Sequence, residues 1–262
     1  MTIEIFDTKA TINSKNKASK NWTKHNFMYK KNSEILIEKI FEIKKKFKNI
    51  LLITSDCEEA FSSLKTLEYK TITLQTEYSE LHKNINNCEE IQKNLGKKNS
   101  KFDLVISNLC LHRINDIITY GTLIKNLLSK NGFFICSFFG GKTLIELRDS
   151  LIRTDQSLLS GIYQRVIPYL DMIDACNLFN RVGFKEIVSD KNTFKIKYKK
   201  LYTLLKDING TGENCNLKSR YKGLMTNRYI KVLEEEYKKK FSDLEGNFKV
   251  TCDIIFLSMW ND

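Results

Sequence analysis

Two side chains with catalytic chemistry stand in different segments of the sequence. His112 follows the apolar run Phe102–Ser107, and its imidazole can act as a base or hydrogen-bond a substrate carboxyl group. Arg148 carries a planar guanidinium that can bind a carboxylate through two parallel hydrogen bonds. Each has a plainer explanation, because a histidine can pack beside a helix and an arginine can pair with Glu146 or Asp149, although those neighbours are poorly placed for it. We predict that His112 and Arg148 are catalytic residues.

Short apolar segments alternate with amphipathic ones, and this alternation indicates the elements that position the two side chains. Runs rich in β-branched residues predict strands, and apolar residues repeated at helical spacing predict helices. The predicted strands are Asn49–Thr54, Thr71–Gln75, Phe102–Ser107, Phe133–Phe138, Phe184–Ser189, Thr193–Lys197 and Phe248–Trp260, with a weaker one around Ile85. The predicted helices are one that begins after Ser33 as its N-cap, Asp56–Leu67, Asn115–Lys130, one from Thr143, Leu170–Val182, Lys199–Ile208 and Asn227–Phe241. At Asn131-Gly132, glycine can take the left-handed conformation that ends a helix.

The order of these elements predicts an α/β fold. Strands that are apolar on both faces and alternate with helices are typical of a mostly parallel sheet with helices on both faces. We expect antiparallel strands at its C-terminal edge. The polar, Lys/Asn-rich residues 1–33 predict an N-terminal arm, and residues 34–262 a single domain with a helical insertion at about 199–245.

The composition narrows the possible partners. The chain has 43 Lys and Arg against 31 Asp and Glu, a formal charge of +12. Because the basic residues are spread in short runs with acidic residues between most of them, a solvated lysine-rich surface explains the charge, and nucleic acid is not the expected partner. No apolar run approaches the roughly 18 residues of a membrane helix. The seven cysteines form no C-x-x-C pair and the three histidines are scattered, which predicts reduced thiols and no metal site.

Three segments carry a resemblance to a known family. Phe102–Asp116 (FDLVISNLCLHRIND) resembles the motif after the fourth strand of class I S-adenosylmethionine-dependent methyltransferases, and Phe139–Arg148 (FGGKTLIELR) and Gly210–Asn214 (GTGEN) sharpen the match. Together they are similar to the branch that contains the mitochondrial complex I assembly factor with arginine hydroxylase activity and its alphaproteobacterial relatives. A sister group is the malonyl-carrier-protein O-methyltransferases of biotin synthesis. The resemblance covers most of the chain and implies the Rossmann-like class I methyltransferase fold.

The resemblance also implies a site for S-adenosylmethionine at the carboxyl ends of the strands. It assigns Thr54, Asp56, Gln75 and Asn108 to this site. The turn after the first strand lacks the glycines that let the main chain approach the cofactor carboxylate, and Asp56 adds a negative charge there. Gln75 stands where a carboxylate usually binds the ribose, and Arg113 where the family motif commonly has tryptophan. These departures leave open a fold whose cofactor site has decayed.

Several functions follow from the resemblance. The leading one is a methyltransferase-family protein of the respiratory complex I assembly group that modifies or chaperones a protein substrate, and the reaction it implies is arginine hydroxylation of a NADH dehydrogenase subunit. An alternative is methylation of the malonyl group on acyl-carrier protein, with Arg148 and His112 holding the free carboxylate. A cofactor-free assembly scaffold is a third function, and RNA methylation stays open only because of the charge. Glu213 and Asn214 would recognise the partner. We expect a cytoplasmic protein in a bacterium or a mitochondrial matrix protein in a eukaryote.

Overall fold

Six strands form one mixed sheet in the part of the chain that the computed structural model describes, which comprises residues 4–55, 62, 64, 67–75, 101–159 and 161–262. The strands are β1 (Asn49–Thr54), β2 (Thr71–Gln75), β3 (Phe102–Asn108), β4 (Leu128–Phe139), β5 (Lys185–Tyr198) and β6 (Phe248–Asn261). Their order is β2-β1-β3-β4-β6-β5, and the first four run parallel. Because β6 runs antiparallel to both β4 and β5, the sheet confirms the predicted parallel centre and antiparallel C-terminal edge.

Seven α-helices accompany the sheet within the described ranges. They are α1 (Thr8–Ala18), α2 (Phe27–Phe41), α3 (Ile117–Leu127), α4 (Ile145–Leu158), α5 (Met172–Val182), α6 (Leu201–Gly210) and α7 (Asn227–Phe241). A 3-10 helix over Ser19–Lys24 joins α1 to α2, and a second one, Leu111–Arg113, follows β3. The helix ends have local causes: the Asp116 carboxylate accepts a hydrogen bond from the N–H of Thr119 at the start of α3, and Gly183, with a φ of 92°, ends α5.

Apolar cores lie on both faces of the sheet. On one face, α2 packs through Leu36 and Ile40 against residues such as Leu52 of β1, and on the other α5 packs through Phe179 against Phe134 of β4. A third core joins α4, α6 and α7 to β6 at the antiparallel edge. Burial on both faces explains why the central strands are continuous apolar runs in the sequence. None of the helices in the described ranges is long and apolar enough to cross a lipid bilayer.

One predicted helix start is wrong. Ser33 lies inside α2, which begins at Phe27, and its hydroxyl donates to the carbonyl oxygen of Tyr29 at 3.0 Å. A serine can bond within its helix in this way as well as cap one, so its residue type did not locate the boundary. Both α1 and the first turns of α2 therefore lie within residues 1–33.

Two further boundaries differ from the prediction. β4 begins at Leu128, so α3 ends earlier than predicted, and Asn131, with a φ of 58°, takes the left-handed conformation expected of Gly132. The two strands predicted over 184–197 are the single strand β5, because β6 pairs with it from Lys185 to Tyr198. The weak strand around Ile85 and most of the helix predicted after β1 lie outside the described residues.

Candidate functional site

The turn after β3 buries two basic side chains. Leu109 leaves the strand with a φ of 50°, and its N–H donates to the carbonyl oxygen of Ser137 on β4 at 3.0 Å. The 3-10 helix Leu111–Arg113 follows directly. As a result, the side chains of His112 and Arg113 are only 0% and 5% exposed.

Glu213, in the loop after α6, is the acceptor on which this region converges. The preceding Gly212 has a φ of 67°, and a Cβ atom there would lie 3.0 Å from the backbone of Lys15, so the position favours glycine. One oxygen of the Glu213 carboxylate accepts hydrogen bonds from Nζ of Lys15 and the hydroxyl of Tyr29, both at 2.5 Å. These contacts tie α1 and α2 to the C-terminal third of the chain.

The second oxygen of Glu213 binds the turn after β3. It accepts from Nε and Nη2 of Arg113 at 3.0 and 2.9 Å, and Nε2 of His112 lies 3.0 Å away. Because a carboxylate only accepts, Nε2 of His112 carries a proton. We call Glu213, Lys15, Tyr29, His112 and Arg113 the Glu213 cluster. Nδ1 of His112 and Nη1 of Arg113 are buried and have no hydrogen-bond partner among the described residues.

Burial and charge act in opposite directions on this cluster. Burial would raise the pKa of Glu213, but the charges of Arg113 and Lys15 outweigh it and hold the pKa of this carboxyl well below its usual value. Burial lowers the pKa of His112 despite the adjacent Glu213, so its imidazole is neutral at pH 7. The cluster therefore holds one carboxylate between two basic groups and a neutral histidine.

An apolar pocket borders the Glu213 cluster at the carboxyl end of β4. It encloses about 540 Å³, part of it open to solvent, and Glu213 forms part of its lining. We call it the aromatic pocket, because its walls include the rings of Phe27, Tyr29, Phe139, Tyr169 and Tyr198. Sites that bind small organic groups have this character: apolar walls with a few polar groups that fix orientation.

A second histidine lies on the wall of the aromatic pocket. His25 ends the 3-10 helix Ser19–Lys24, and its Nδ1 lies 2.6 Å from Oδ1 of Asp207 on α6. Asp207 lines the pocket as well. His25 also borders an adjoining polar recess, whose lining includes Lys17, Lys206 and several amide side chains. The His25–Asp207 pair therefore separates an apolar space from a basic, polar one.

Three of the four predicted cofactor residues lie at the carboxyl edge of three neighbouring strands. Thr54 and Asn108 are register partners at the ends of β1 and β3, and both are buried. Gln75 is the last residue of β2 and pairs in register with Ile53. Asp56 lies outside the described residues. That a cofactor uses these four residues stays a prediction.

The side chain of Asn108 is hydrogen-bonded to α2. Its Oδ1 accepts from Nδ2 of Asn32 at 2.5 Å, and its Nδ2 donates to the hydroxyl of Ser33 at 2.9 Å. Oδ1 of Asn32 is buried and has no hydrogen-bond partner among the described residues. The contact between the carboxyl end of β3 and α2 is therefore polar, and one of its buried acceptors lacks a described hydrogen-bond partner.

The two predicted catalytic residues share no contact and no pocket in the part of the chain that the structure describes. His112 is absent from the lining of the aromatic pocket and packs edge-on against Phe139, with ring centroids 5.0 Å apart. Arg148 is half-buried on α4, does not line the pocket, and makes no side-chain ion pair with another described residue. The carboxylates considered as its partners are used elsewhere: Glu146 binds Thr251, and Asp149 pairs with Lys240. A catalytic role for either residue stays a prediction.

The sequence interpretation missed most of the residues that form this region. Lys15, Tyr29, His25 and Asp207 were not singled out, and no spacing between them signals their contacts. Glu213 was expected to recognise a partner, but its side chain is only 8% exposed and faces the cluster. Among the described residues, no three His, Cys, Asp or Glu side chains are grouped as metal ligands would be.

The fold defines the class of protein. The YcgJ protein of Bacillus subtilis matches 87% of this chain and 97% of its own with a TM-score of 0.56 at 12% sequence identity. The plantazolicin methyltransferase BpumL, solved in complex with SAH, matches 97% of this chain and 95% of its own with a TM-score of 0.52 at 13% identity. The chain therefore has the class I methyltransferase fold that the resemblance implied.

Sequence similarity narrows the comparison to particular relatives. The human mitochondrial arginine-hydroxylase NDUFAF5 is 29% identical over 163 residues, which are 62% of this chain and 47% of that protein. RP459 of Rickettsia prowazekii, named as a methyltransferase, is 31% identical over 58% of this chain and 66% of its own length. A malonyl-[acyl-carrier protein] O-methyltransferase of Ilyobacter polytropus is 29% identical over 60% of this chain and 55% of its own. No family model matches the chain.

These matches confirm the resemblance to the arginine-hydroxylase branch and its methyltransferase relatives. The chain spans about half the length of the human relative that it matches.

Proposed function

We propose that this protein is an enzyme of the S-adenosylmethionine-dependent methyltransferase family, of the complex I assembly group, which modifies a protein side chain held in the aromatic pocket. The observation that carries the proposal is the pocket itself. It lies where the strands of such a fold present their ligands, at the carboxyl end of β4, and it is bounded by Glu213 and Asp207. The similarity to NDUFAF5 supports the assignment to this group.

The cofactor we propose is S-adenosylmethionine, which would bind at the carboxyl ends of β1, β2 and β3. The unpartnered Oδ1 of Asn32 offers an acceptor to an amino or hydroxyl group, which this cofactor carries at both its amino acid and ribose ends. A narrow crevice between α2 and β3, lined by Ser33 and Asn108, lies beside this end of the sheet, and these residues would hold one part of the molecule. Thr54, Asp56, Gln75 and Asn108 are the residues we propose to hold the cofactor, which when bound supplies an electrophilic methyl group.

For the substrate we propose an arginine side chain of a NADH dehydrogenase subunit. A guanidinium is planar and stacks on aromatic rings, and the pocket offers Tyr29, Tyr169 and Tyr198. Two carboxylates, those of Asp207 and Glu213, border the same space. Under this proposal, the protein works in the mitochondrial matrix of a eukaryote or in the cytoplasm of a bacterium.

The malonyl-carrier-protein alternative is not favoured. It requires His112 and Arg148 to hold one carboxylate, whereas Nε2 of His112 is already bonded to Glu213 within the fold. A scaffold without cofactor remains the non-enzymatic alternative, and cofactor binding separates it from the proposal.

Cofactor binding is the first test. We expect calorimetric titration of the full chain to detect binding of S-adenosylmethionine or S-adenosylhomocysteine, and Asn108→Ala to weaken it. Asn180→Ala, on the exposed surface of α5, is the matched control. If the wild-type dissociation constant exceeds about 1 mM, equivalent to about −4 kcal/mol, the cofactor proposal fails and the scaffold is favoured.

The reaction is the second test. The protein is incubated with S-adenosylmethionine, dioxygen, a reductant and arginine-containing peptides of the NADH dehydrogenase subunits, and the products are analysed by mass spectrometry. A gain of one methylene group identifies methylation, and a gain of one oxygen atom identifies hydroxylation. Modification restricted to residues other than arginine would contradict the proposed substrate, and His112→Ala and Arg148→Ala measure whether either predicted catalytic residue contributes.

A further inference from the structure

His25 presents one ring nitrogen that is not used by the fold. Its Nδ1 is bonded to Asp207, and Nε2 has no hydrogen bond from any described residue. Nε2 keeps some contact with solvent, unlike Nδ1 of His112, which is fully buried. His25 lines both the aromatic pocket and the polar recess.

The hydrogen bond to Asp207 determines which ring nitrogen of His25 can accept a hydrogen bond. A carboxylate accepts, so Nδ1 of His25 carries the proton in the neutral imidazole and Nε2 keeps its lone pair. Burial and the charge of Asp207 raise the pKa of Tyr198, so this tyrosine on the pocket wall stays neutral.

The backbone is shaped to hold the His25 ring in this place. Gly210, the last residue of α6, lies so close to the ring that an added Cβ would be 2.1 Å from Cδ2 of His25. The ring thus rests on the main chain of the helix that also carries Asp207. Few changes of ring position are compatible with both contacts.

We propose that the aromatic pocket binds a planar group that carries an N–H or O–H donor, and that Nε2 of His25, oriented by Asp207, accepts the hydrogen bond from this donor. The proposal rests on the proposed function in one respect: when the bound substrate group loses its proton during modification, that proton passes to Nε2 of His25, and Nδ1–H stays bonded to Asp207. His25 then touches the substrate, and Asp207 is a positioning residue.

The binding test uses two probes of equal ring size. p-Cresol carries an O–H donor, whereas 4-methylanisole has the same ring with the donor replaced by a methoxy group. We expect the wild-type chain to bind p-cresol about two- to tenfold more tightly, the effect of one net hydrogen bond, in a ligand-observed NMR titration. His25→Phe should bind both probes equally, because it keeps a ring but removes the acceptor. No preference in the wild type, or an unchanged preference in His25→Phe, would overturn the proposal.

The role of Asp207 is tested by the protonation of the ring. Two-bond proton–nitrogen NMR spectra of the wild type should show Nε2 of His25 as the unprotonated nitrogen. In Asp207→Asn, the amide can donate to Nδ1 and hold the other tautomer, so the preference for p-cresol should fall with the change of tautomer. Asp174→Asn, which alters an exposed carboxylate on α5, should change neither. An unchanged tautomer in Asp207→Asn would remove the positioning role.

Chemical labelling gives an answer even if a variant fails to fold. Diethylpyrocarbonate modifies accessible, unprotonated imidazole nitrogens, and peptide mass spectrometry locates the adduct. We expect His25 to be labelled in the folded wild-type chain and protected by p-cresol, while His112 is labelled only after unfolding. If His25 resists labelling, the proposal is wrong. None of these measurements requires turnover, so the two proposals can fail separately. If the protein binds p-cresol through His25 but neither binds S-adenosylmethionine nor modifies a peptide, the proposed function is wrong and the role of His25 in binding is not.

Discussion

Two histidine–carboxylate pairs lie close to each other in this molecule and differ in their surroundings. In the pair of His112 and Glu213, the side chains are 0% and 8% exposed, and Glu213 also binds Lys15, Tyr29 and Arg113. In the pair of His25 and Asp207, the side chains are 10% and 20% exposed. The first pair is a sealed junction between distant segments, whereas the second leaves a nitrogen open to a pocket. Whether a histidine–carboxylate pair stabilises the fold or can bind a ligand therefore depends on two features. These are the number of groups that bind the carboxylate and the accessibility of the other histidine nitrogen.

The largest effect is expected from breaking the sealed pair. Glu213→Ala leaves Lys15 and Arg113 buried without their carboxylate, and we expect the free energy of unfolding to fall by about 3–5 kcal/mol in urea titrations. Glu234→Ala is the control, because Glu234 forms an exposed pair with Lys238 one turn away on α7 and should cost about 0.5 kcal/mol or less. Similar losses in the two variants would show that the Glu213 cluster is not a special stabilising contact.

A smaller loss is expected from crowding the open pair. Gly210→Ala places a Cβ against the His25 ring, and overpacking of this kind lowers the free energy of unfolding by about 1–3 kcal/mol. We also expect the preference for p-cresol to be lost, because the ring must move. Gly141→Ala, whose Cβ would meet only Asp171 at 4.0 Å, should stay within about 0.5 kcal/mol of the wild type. A stable Gly210→Ala variant with normal p-cresol preference would contradict the observed packing.

The pH dependence of the free energy of unfolding should contain a contribution from the buried His112. The pKa of His112 is lowered in the folded protein, so the unfolded chain binds the proton more readily below the ordinary histidine pKa of about 6.5. Its contribution to stability is present above that pH and is lost as the pH falls through the lower, folded value. We expect the free energy of unfolding to decrease between about pH 7 and pH 5, and less steeply in His112→Gln. Equal slopes in both proteins would assign the effect to other groups.

The smallest effect on stability is expected at Asp207. Because this carboxylate is partly exposed and the amide of Asp207→Asn can still hydrogen-bond to His25, the substitution should lower the free energy of unfolding by about 1 kcal/mol or less. Urea titration of this variant beside Glu213→Ala compares the two pairs directly. A loss as large as that of Glu213→Ala would mean that the open pair also serves mainly to hold the fold together.

The sheet was predictable because its signal is local. Each central strand is buried on both faces, so β1, β3 and β4 stand out as continuous apolar runs, and their order of appearance implies parallel pairing. The prediction errors occurred where more than one residue type can adopt the same local conformation. Asparagine as well as glycine can adopt positive φ, and the left-handed residue is Asn131. The polar residues 190–192 lie between the two strands predicted over 184–197, but they pair with β6 and continue β5.

The candidate site was predictable only in part, because its contacts are long-range. Lys15 is separated from Glu213 by 198 positions, and His25 from Asp207 by 182. No residue spacing in the sequence predicts contacts over such separations. The GTGEN motif did point to the correct loop, and the positive φ of Gly212 explains one of its glycines. What the motif does not indicate is the direction in which Glu213 faces, which depends on the helices that pack over it.

The contact between the first helix and the loop that follows α6 has a consequence for biosynthesis. Lys15, Tyr29 and His25 leave the ribosome early, but the carboxylates that bind them are made only when residues 207–213 emerge. Until then these three contacts cannot form, and closing so long a loop of chain is slow compared with local helix formation. The N-terminal residues, synthesised first, therefore complete their native contacts late, and a chain cut short before residue 207 would keep the hydrogen bonds to Asn115 but lack those to Asp207 and Glu213.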